Sequence, residues 1–165
     1  MTSLSLRLGL LFAALASALA LGAALTAQYA FGYKPCELCL WQRYPYAAVT
    51  LLAGGAFLAA REPRVQRLTL LVSALLFFLD AAIAAYHTGV EQGWLGALTT
   101  CAKLPGAAGA SLDELRASLL NAPLVSCSQP SFVWLGLSMA AWNILAALAL
   151  GSTVLYLWKR TEPKR

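Results

Sequence analysis

The chain has 165 residues, of which 60% are hydrophobic and 12% are charged, and its formal net charge is +5. Soluble domains are about 45–50% apolar and about 25% charged, so the composition excludes an ordinary water-soluble globule and also a disordered chain, which would be poor in apolar residues. The basic residues form short clusters between apolar runs, which argues against a nucleic-acid-binding stripe.

Four long stretches with little or no charge predict four transmembrane helices within one membrane domain. A hydrocarbon core of about 30 Å requires about 20 apolar residues in a helix, and helices satisfy their own backbone hydrogen bonds in lipid. The first stretch is longer than the apolar region of a signal peptide, which is about 7–15 residues. We therefore predict an all-α membrane protein, a four-helix bundle with spans at about 8–31, 38–60, 68–90 and 132–158.

The connection 91–131 is predicted to be a long external loop. Within it, the segment Ser111–Glu114 forms a capping box, and leucines follow at helical spacing. This pattern predicts a short amphipathic helix at about 112–120 that lies on the membrane surface.

The basic residues also predict the orientation of the bundle. Four spans place both termini and the 61–67 turn on one side, which then carries eight of the 12 basic residues. Because basic residues mark the cytoplasmic side, we expect both termini in the cytoplasm. All four cysteines then lie on the opposite side, in a compartment that permits disulfides: Cys36, Cys39, Cys101 and Cys127.

A CxxC motif formed by Cys36 and Cys39 follows Pro35, a residue favoured at the first position of a helix. A helix N-terminus stabilises a thiolate and lowers its pKa. Arg43 lies four residues beyond Cys39 on the same helix face, where its cation favours a thiolate and can donate hydrogen bonds to a carbonyl at the membrane edge. The alternative is that Arg43 is only an interfacial anchor.

The spacing C-x2-C-x61-C-x25-C leaves more than one interpretation of the cysteines open. It lacks the second tight pair of a zinc module, and Leu40 stands where a c-type haem site needs histidine, so we expect no metal. Cys101 and Cys127 would close a loop of about 27 residues, which stabilises by about 3.5 kcal/mol in the chain-entropy model. Such a disulfide either staples the loop or, being accessible, exchanges with an attacking thiolate.

Two ionisable residues mark the third span. His87 is the only histidine of the chain and lies near the outer end of the span, as a functional group or merely as an interfacial polar tip. Asp80 shares its face but lies near the middle of the bilayer, where ionisable groups are rare and usually face a cavity or a partner. Asp80 could relay protons toward His87, or it could be a neutral acid hydrogen-bonded to a neighbouring span.

In combination these features resemble the DsbB family, the disulfide bond formation protein B of Gram-negative bacteria. The resemblance extends over residues 8–158 and is strongest in Lys34–Arg43, KPCELCLWQR. The dipeptide Tyr86-His87, the pair Cys101 and Cys127, and the segment Trp134–Met139 match in order and spacing. Each motif alone is weak, whereas the combination is specific.

The resemblance implies a thiol:quinone oxidoreductase of the bacterial inner membrane. Its partner would be a periplasmic thioredoxin-fold thiol oxidase similar to DsbA, and its electron acceptor a membrane quinone, either ubiquinone or menaquinone. Arg43 and His87 would orient the quinone. Because DsbA is a strong oxidant at about −120 mV, its reoxidation requires a still stronger acceptor.

The resemblance also implies a role for each cysteine. Cys101 would form the mixed disulfide with the partner, and Cys127 would then exchange with Cys36. Cys39, released as a thiolate, would face the quinone.

Other functions remain open at this point. The vitamin K epoxide reductase family also combines four helices, a quinone and two cysteine pairs, but there the loop pair precedes the CxxC. A structural or assembly membrane protein would use the cysteines only as staples and would tolerate replacement of Arg43. A metal-handling membrane protein would bind stoichiometric zinc or copper.

Overall fold

Helices dominate the computed structural model, which describes residues 2–96, 127 and 132–161. They are α1 (Thr2–Tyr29), α2 (Glu37–Trp41), α3 (Arg43–Ala59), α4 (Pro63–Glu91) and α5 (Met139–Arg160). A small antiparallel hairpin precedes α5 and consists of β1 (Val133–Trp134) and β2 (Leu137–Ser138). Within the described part of the chain, three helices, α1, α4 and α5, are long and apolar enough to cross a membrane, which confirms a mostly helical protein with several potential spans.

The single helix predicted at 38–60 is corrected to two consecutive helices, α2 and α3, with Gln42 between them. Pro45 has no N–H to donate to the carbonyl of Trp41, so the helical hydrogen bonding is interrupted one turn before the proline. Gln42 keeps helical dihedrals of φ −65° and ψ −19°, and its N–H still bonds to the carbonyl of Leu38 at 3.1 Å. The backbone therefore remains helical through the interruption.

The helix predicted at 132–158 begins later, at Met139, because the preceding residues form the hairpin. Leu135 and Gly136 have φ of 51° and 79°, as a two-residue type I′ turn requires. Leucine rarely adopts positive φ, so this turn has only a weak sequence signal. Ser138 then caps α5, because its Oγ accepts a hydrogen bond from the N–H of Ala141 at 3.2 Å.

The first and third predicted spans, 8–31 and 68–90, also have different ends in the structure. Helix α1 starts at Thr2 and stops at Tyr29, and α4 starts at Pro63, a favoured first-turn residue. Charged residues near the N-terminal ends of α1 and α4 do not prevent helix formation, so both helices begin before the apolar stretches that predicted them. The predicted 112–120 helix lies outside the described residues.

One apolar core lies where α1, α3, α4 and α5 meet. Helix α4 packs most extensively against α5, and α1 against α3. At Gly151 a Cβ atom would lie 3.1 Å from the ring of Phe78, so glycine lets α5 approach α4 closely. Large buried members of the core are Leu6, Leu10, Val49, Leu70, Phe77 and Val154.

Candidate functional site

The CxxC motif lies at the start of α2, before the candidate membrane helix α3. Cys36 is the N-cap residue, and its Sγ accepts a hydrogen bond from the N–H of Cys39 at 3.3 Å. The two Sγ atoms lie 2.8 Å apart, and both cysteines are free thiols. The hydrogen bond between the thiols, together with burial, raises the pKa of Cys36. The hydrogen bond from Cys36 lowers the pKa of Cys39 to about 7, so Cys39 is the thiolate of the pair.

The two cysteines of the motif face different surroundings. Cys36 is 4% exposed and packs in a small cluster with Leu38, Val90 and Cys127, which is 1% exposed. Cys39 packs against the edge of the same cluster and, unlike Cys36, also lines a cavity. The motif therefore has a loop-cysteine side at Cys36 and a cavity side at Cys39. Cys101, the predicted disulfide partner of Cys127, lies outside the described residues.

The cavity has a volume of about 300 Å³ and lies between α1, the α2–α3 segment, α4 and α5. Much of its wall is alanine from α1 and α5, and its polar groups include Cys39, Arg43 and His87. Small-molecule sites are typically cavities of this size with apolar walls and a few polar groups that fix orientation. The cavity can therefore hold a compact apolar molecule beside the Cys39 thiol.

Arg43 and His87 reach the cavity from different helices. Arg43 begins α3, and its Nη1 donates a hydrogen bond to Oε1 of Gln28 on α1. His87 on α4 is buried, and its Nε2 lies 3.4 Å from Sγ of Cys36. The structure thus brings both predicted binding residues next to the CxxC.

Several polar residues of the site were missed in the sequence. Gln42 lies between α2 and α3, and its Nε2 is 2.8 Å from Nδ1 of His87. Tyr46 donates from its Oη to Oδ1 of Asn143 at 2.7 Å. Asn143 is the one amide side chain in the stretch 132–158, and interhelical hydrogen bonds by such residues are common in membrane bundles. Glu91, at the end of α4, places Oε1 3.6 Å from Nε2 of His87.

Asp80 is fully buried and hydrogen-bonded to the neighbouring helix α5. Nδ2 of Asn143 donates to its Oδ2 at 2.8 Å. The other oxygen, Oδ1, has no hydrogen-bond partner among the described residues. This contact is the one expected for the structural role of Asp80, a bond to a neighbouring span.

One group of possible metal ligands overlaps the thiol pair. Ligand atoms of Cys36, Cys39 and His87 all lie within 4.8 Å of one another. Two thiolates on one tetrahedral zinc lie about 3.8 Å apart, as Zn–S bonds of about 2.3 Å require. Since the Sγ atoms are 2.8 Å apart, their spacing is shorter than a tetrahedral zinc centre requires.

Comparisons with known proteins identify a family and relatives for this chain. The family model "Disulfide bond formation protein DsbB" matches residues 6–157. A disulfide bond formation protein B of Methylococcus capsulatus is 33% identical, covering 98% of this chain and 99% of the relative. Those of Chromobacterium violaceum and Neisseria gonorrhoeae are 34% and 29% identical, over 88% and 93% of this chain and 72% and 94% of the relatives.

No solved structure matches the chain, so the assignment rests on sequence and on the site. The family model spans both the CxxC motif and the helices that surround the cavity. The chain therefore belongs to the DsbB family, oxidoreductases that act in disulfide bond formation at the bacterial inner membrane.

Proposed function

We propose that the chain is a thiol:quinone oxidoreductase, which reoxidises a periplasmic DsbA-like thiol oxidase and passes the electrons to a membrane quinone. The observation that carries this proposal is the cavity that Cys39, Arg43 and His87 line together. A cavity beside a thiolate, apolar along its walls and cationic at one edge, matches the chemistry of a lipid-soluble electron acceptor.

The cavity residues fit a quinone. The alanine-rich walls contributed by α1 and α5 suit a flat apolar ring, and the volume of about 300 Å³ is sufficient for a small ligand. The guanidinium of Arg43 and an N–H of His87 are hydrogen-bond donors for carbonyl oxygens. A bound quinone would supply an acceptor for two electrons and two protons. Arg43 would orient it and stabilise negative charge at its edge.

The two sides of the CxxC support the proposed order of the cysteines. Cys127 shares the buried cluster of Cys36, so thiol–disulfide exchange between these two requires no passage across the motif. Cys39 remains on the cavity side as the low-pKa thiolate. In the proposed relay the partner's dithiol reduces the Cys101–Cys127 disulfide, and the resulting dithiol reduces Cys36–Cys39. Each exchange moves two electrons and two protons, and it forms one disulfide while breaking another.

Helix α3 is proposed as the fourth span, with both termini in the cytoplasm and the cysteines on the periplasmic side. Its 17 residues measure about 26 Å at a rise of about 1.5 Å per residue, close to the hydrocarbon thickness of about 30 Å. Because Gln42 keeps helical dihedrals, α2 continues the path of α3 and extends this segment toward the interface. The excess of basic residues at the 61–67 turn and the termini supports the orientation.

The test is the reduction of a soluble quinone by purified protein, followed by absorbance, with a reduced thioredoxin-fold partner. We expect wild type to turn over and the Cys36→Ser/Cys39→Ser variant to be inactive. The matched control is Cys127→Ser, which should lose partner-driven turnover while retaining turnover driven by dithiothreitol, because that reductant reaches the CxxC directly. Absence of quinone reduction by folded wild type with either reductant would contradict the proposal.

A further inference from the structure

A continuous chain of buried and partly buried polar contacts extends from the CxxC to the middle of α4. It begins where Sγ of Cys36 lies 3.4 Å from Nε2 of His87. Nδ1 of His87 then lies 2.8 Å from Nε2 of Gln42. Oε1 of Gln42 accepts from Nδ2 of Asn143 at 2.8 Å, and the same Nδ2 donates to Oδ2 of Asp80 at 2.8 Å. The chain thus joins residues from α4, the α2–α3 break and α5 across the bundle.

The direction of these hydrogen bonds follows from Asp80, at the inner end of the chain. Oδ2 of Asp80 accepts a hydrogen bond either as an oxygen of an ionised carboxylate or as the carbonyl oxygen of a neutral acid, so the atom of Asn143 that faces it is the amide nitrogen. The same nitrogen faces Gln42, whose nearer atom must therefore be the carbonyl oxygen. The remaining oxygen of Asn143 accepts from the hydroxyl of Tyr46 at 2.7 Å, which agrees with this orientation. Network logic of this kind is what assigns amide orientations in proteins.

The same logic extends to the histidine. With its oxygen turned toward Asn143, Gln42 presents its NH₂ group to His87, and an NH₂ group only donates. Nδ1 of His87 must then be an unprotonated acceptor, so a neutral imidazole carries its hydrogen on Nε2. That nitrogen faces Sγ of Cys36 at 3.4 Å and lies 3.6 Å from Oε1 of Glu91. Both neighbours favour a hydrogen on Nε2.

We propose that Asp80 is a positioning residue that acts through Asn143 and Gln42 to hold His87 in the tautomer with its hydrogen on Nε2. An acceptor at position 80 sets the direction of every bond in the chain, whereas a donor there would reverse the chain and turn an unprotonated Nε2 toward Cys36. The consequence for catalysis rests on the proposed function. Nε2–H faces the dithiol and the cavity, where it can donate to Sγ of Cys36 or to an oxygen of the electron acceptor.

The test uses the fact that His87 is the only histidine of the chain. Protein labelled with ¹⁵N-histidine, purified through a tag without histidine, gives one pair of ring-nitrogen signals, whose shifts distinguish protonated from unprotonated nitrogen. At a pH where the ring is neutral, we expect wild type to show a protonated Nε2 and an unprotonated Nδ1. A wild-type spectrum with the hydrogen on Nδ1 would overturn the proposal.

Variants test whether Asp80 determines the tautomer of His87. Asp80→Asn retains a carbonyl acceptor and should keep the wild-type tautomer, whereas Asp80→Leu should give a mixture of tautomers. Asn143→Ala removes the α5 side chain that links Gln42 to Asp80 and should also give a mixture of tautomers. It therefore serves as the second test if Asp80→Leu does not fold. The matched control is Ser73→Ala, since Ser73 is equally buried on α4 and, among the described residues, its hydroxyl donates within its own helix to the carbonyl of Thr69. An unchanged wild-type tautomer in folded Asp80→Leu or Asn143→Ala would contradict the proposal.

Quinone-reduction kinetics supply the second measurement. We expect Asp80→Leu to lower kcat about tenfold, a typical cost of removing an outer-sphere partner, with little change in the KM for quinone and with rescue in Asp80→Asn. Equal kcat values in folded Asp80→Leu and wild type would contradict the catalytic consequence. If wild type reduces no quinone but holds the Nε2–H tautomer, the proposed function fails while the role of Asp80 stands.

Discussion

The two ends of the helix bundle are built differently. At the cysteine end, where α2 begins and α4 ends, the buried side chains of Gln42 and His87 contact each other, and Gln42 also contacts the partly buried Asn143. At the terminal end, where α1 begins and α5 ends, the buried core includes Leu6, Leu70 and Val154. Burying polar groups is costly unless they are hydrogen-bonded, so the cysteine end combines this cost with the site of chemistry. Packing of the apolar core at the terminal end offsets the free-energy cost of burying these polar groups.

Helix α4 shows the contrast within one element. Its first half buries the large apolar Leu70 and Phe77 together with the uncharged polar Gln66 and Ser73. Its second half buries the ionisable Asp80 and His87 among small apolar residues. We therefore expect substitutions in the first half to reduce stability and substitutions at the cysteine end to change the reaction. The predictions below test that separation.

The largest effect on stability is expected for Leu70→Ala at the terminal end. Leu70 is 0% exposed, and a buried leucine truncated to alanine leaves a cavity that costs about 2–5 kcal/mol. The measurement is reversible unfolding in detergent micelles, with Leu68→Ala as the control because Leu68 is 61% exposed. The KM for quinone of the folded Leu70→Ala protein should equal that of wild type. A changed KM, or equal unfolding free energies for the two variants, would contradict the separation of the two ends.

Arg43→Ala should have the largest effect on quinone use without a large effect on folding. Loss of the guanidinium at the cavity edge should raise the apparent KM for quinone about tenfold, which corresponds to about 1.4 kcal/mol. Steady-state kinetics with a soluble quinone provide the measurement, and Arg61→Ala, at an exposed turn position, is the control. An unchanged KM would remove Arg43 from the binding site.

A smaller effect is expected from pH. Because the hydrogen bond from Cys36 lowers the pKa of Cys39 to about 7, the Cys39 thiolate persists above pH 7 and is lost as the pH falls. The rate of quinone reduction by the reduced protein should therefore decline below about pH 7, approaching tenfold per pH unit. In Arg43→Ala the decline should begin at higher pH, since the Arg43 cation also lowers this pKa. A rate that is constant between about pH 6 and 8 would exclude Cys39 as the titrating nucleophile.

Much of the helical fold could be predicted from the sequence, because long uncharged stretches have few alternatives in a membrane. The interruptions were harder to predict. Pro45 stops one hydrogen bond without ending the helical path, and the turn at Leu135 and Gly136 requires positive φ from a leucine. Neither feature changes hydropathy, so the pattern of apolar residues predicted neither of them.

From spacing alone, the site was predictable only around the CxxC, and His87 was predicted through the family resemblance. Cys36, Cys39 and Arg43 lie within one short segment, and helical geometry is enough to relate them. The contacts of Gln42 with His87 and of Asn143 with Asp80 join residues far apart in the chain. They depend on the register of one helix against another, which a single sequence does not specify.

The central claim is that the Cys36–Cys39 dithiol itself delivers electrons to a quinone in the cavity. The most direct measurement is a single turnover of the reduced Cys101→Ser/Cys127→Ser variant, in which only the CxxC cysteines remain, mixed with one equivalent of soluble quinone. We expect one quinone to be reduced and two thiols to be lost per chain. Unchanged quinone and two remaining thiols in a folded protein would contradict it.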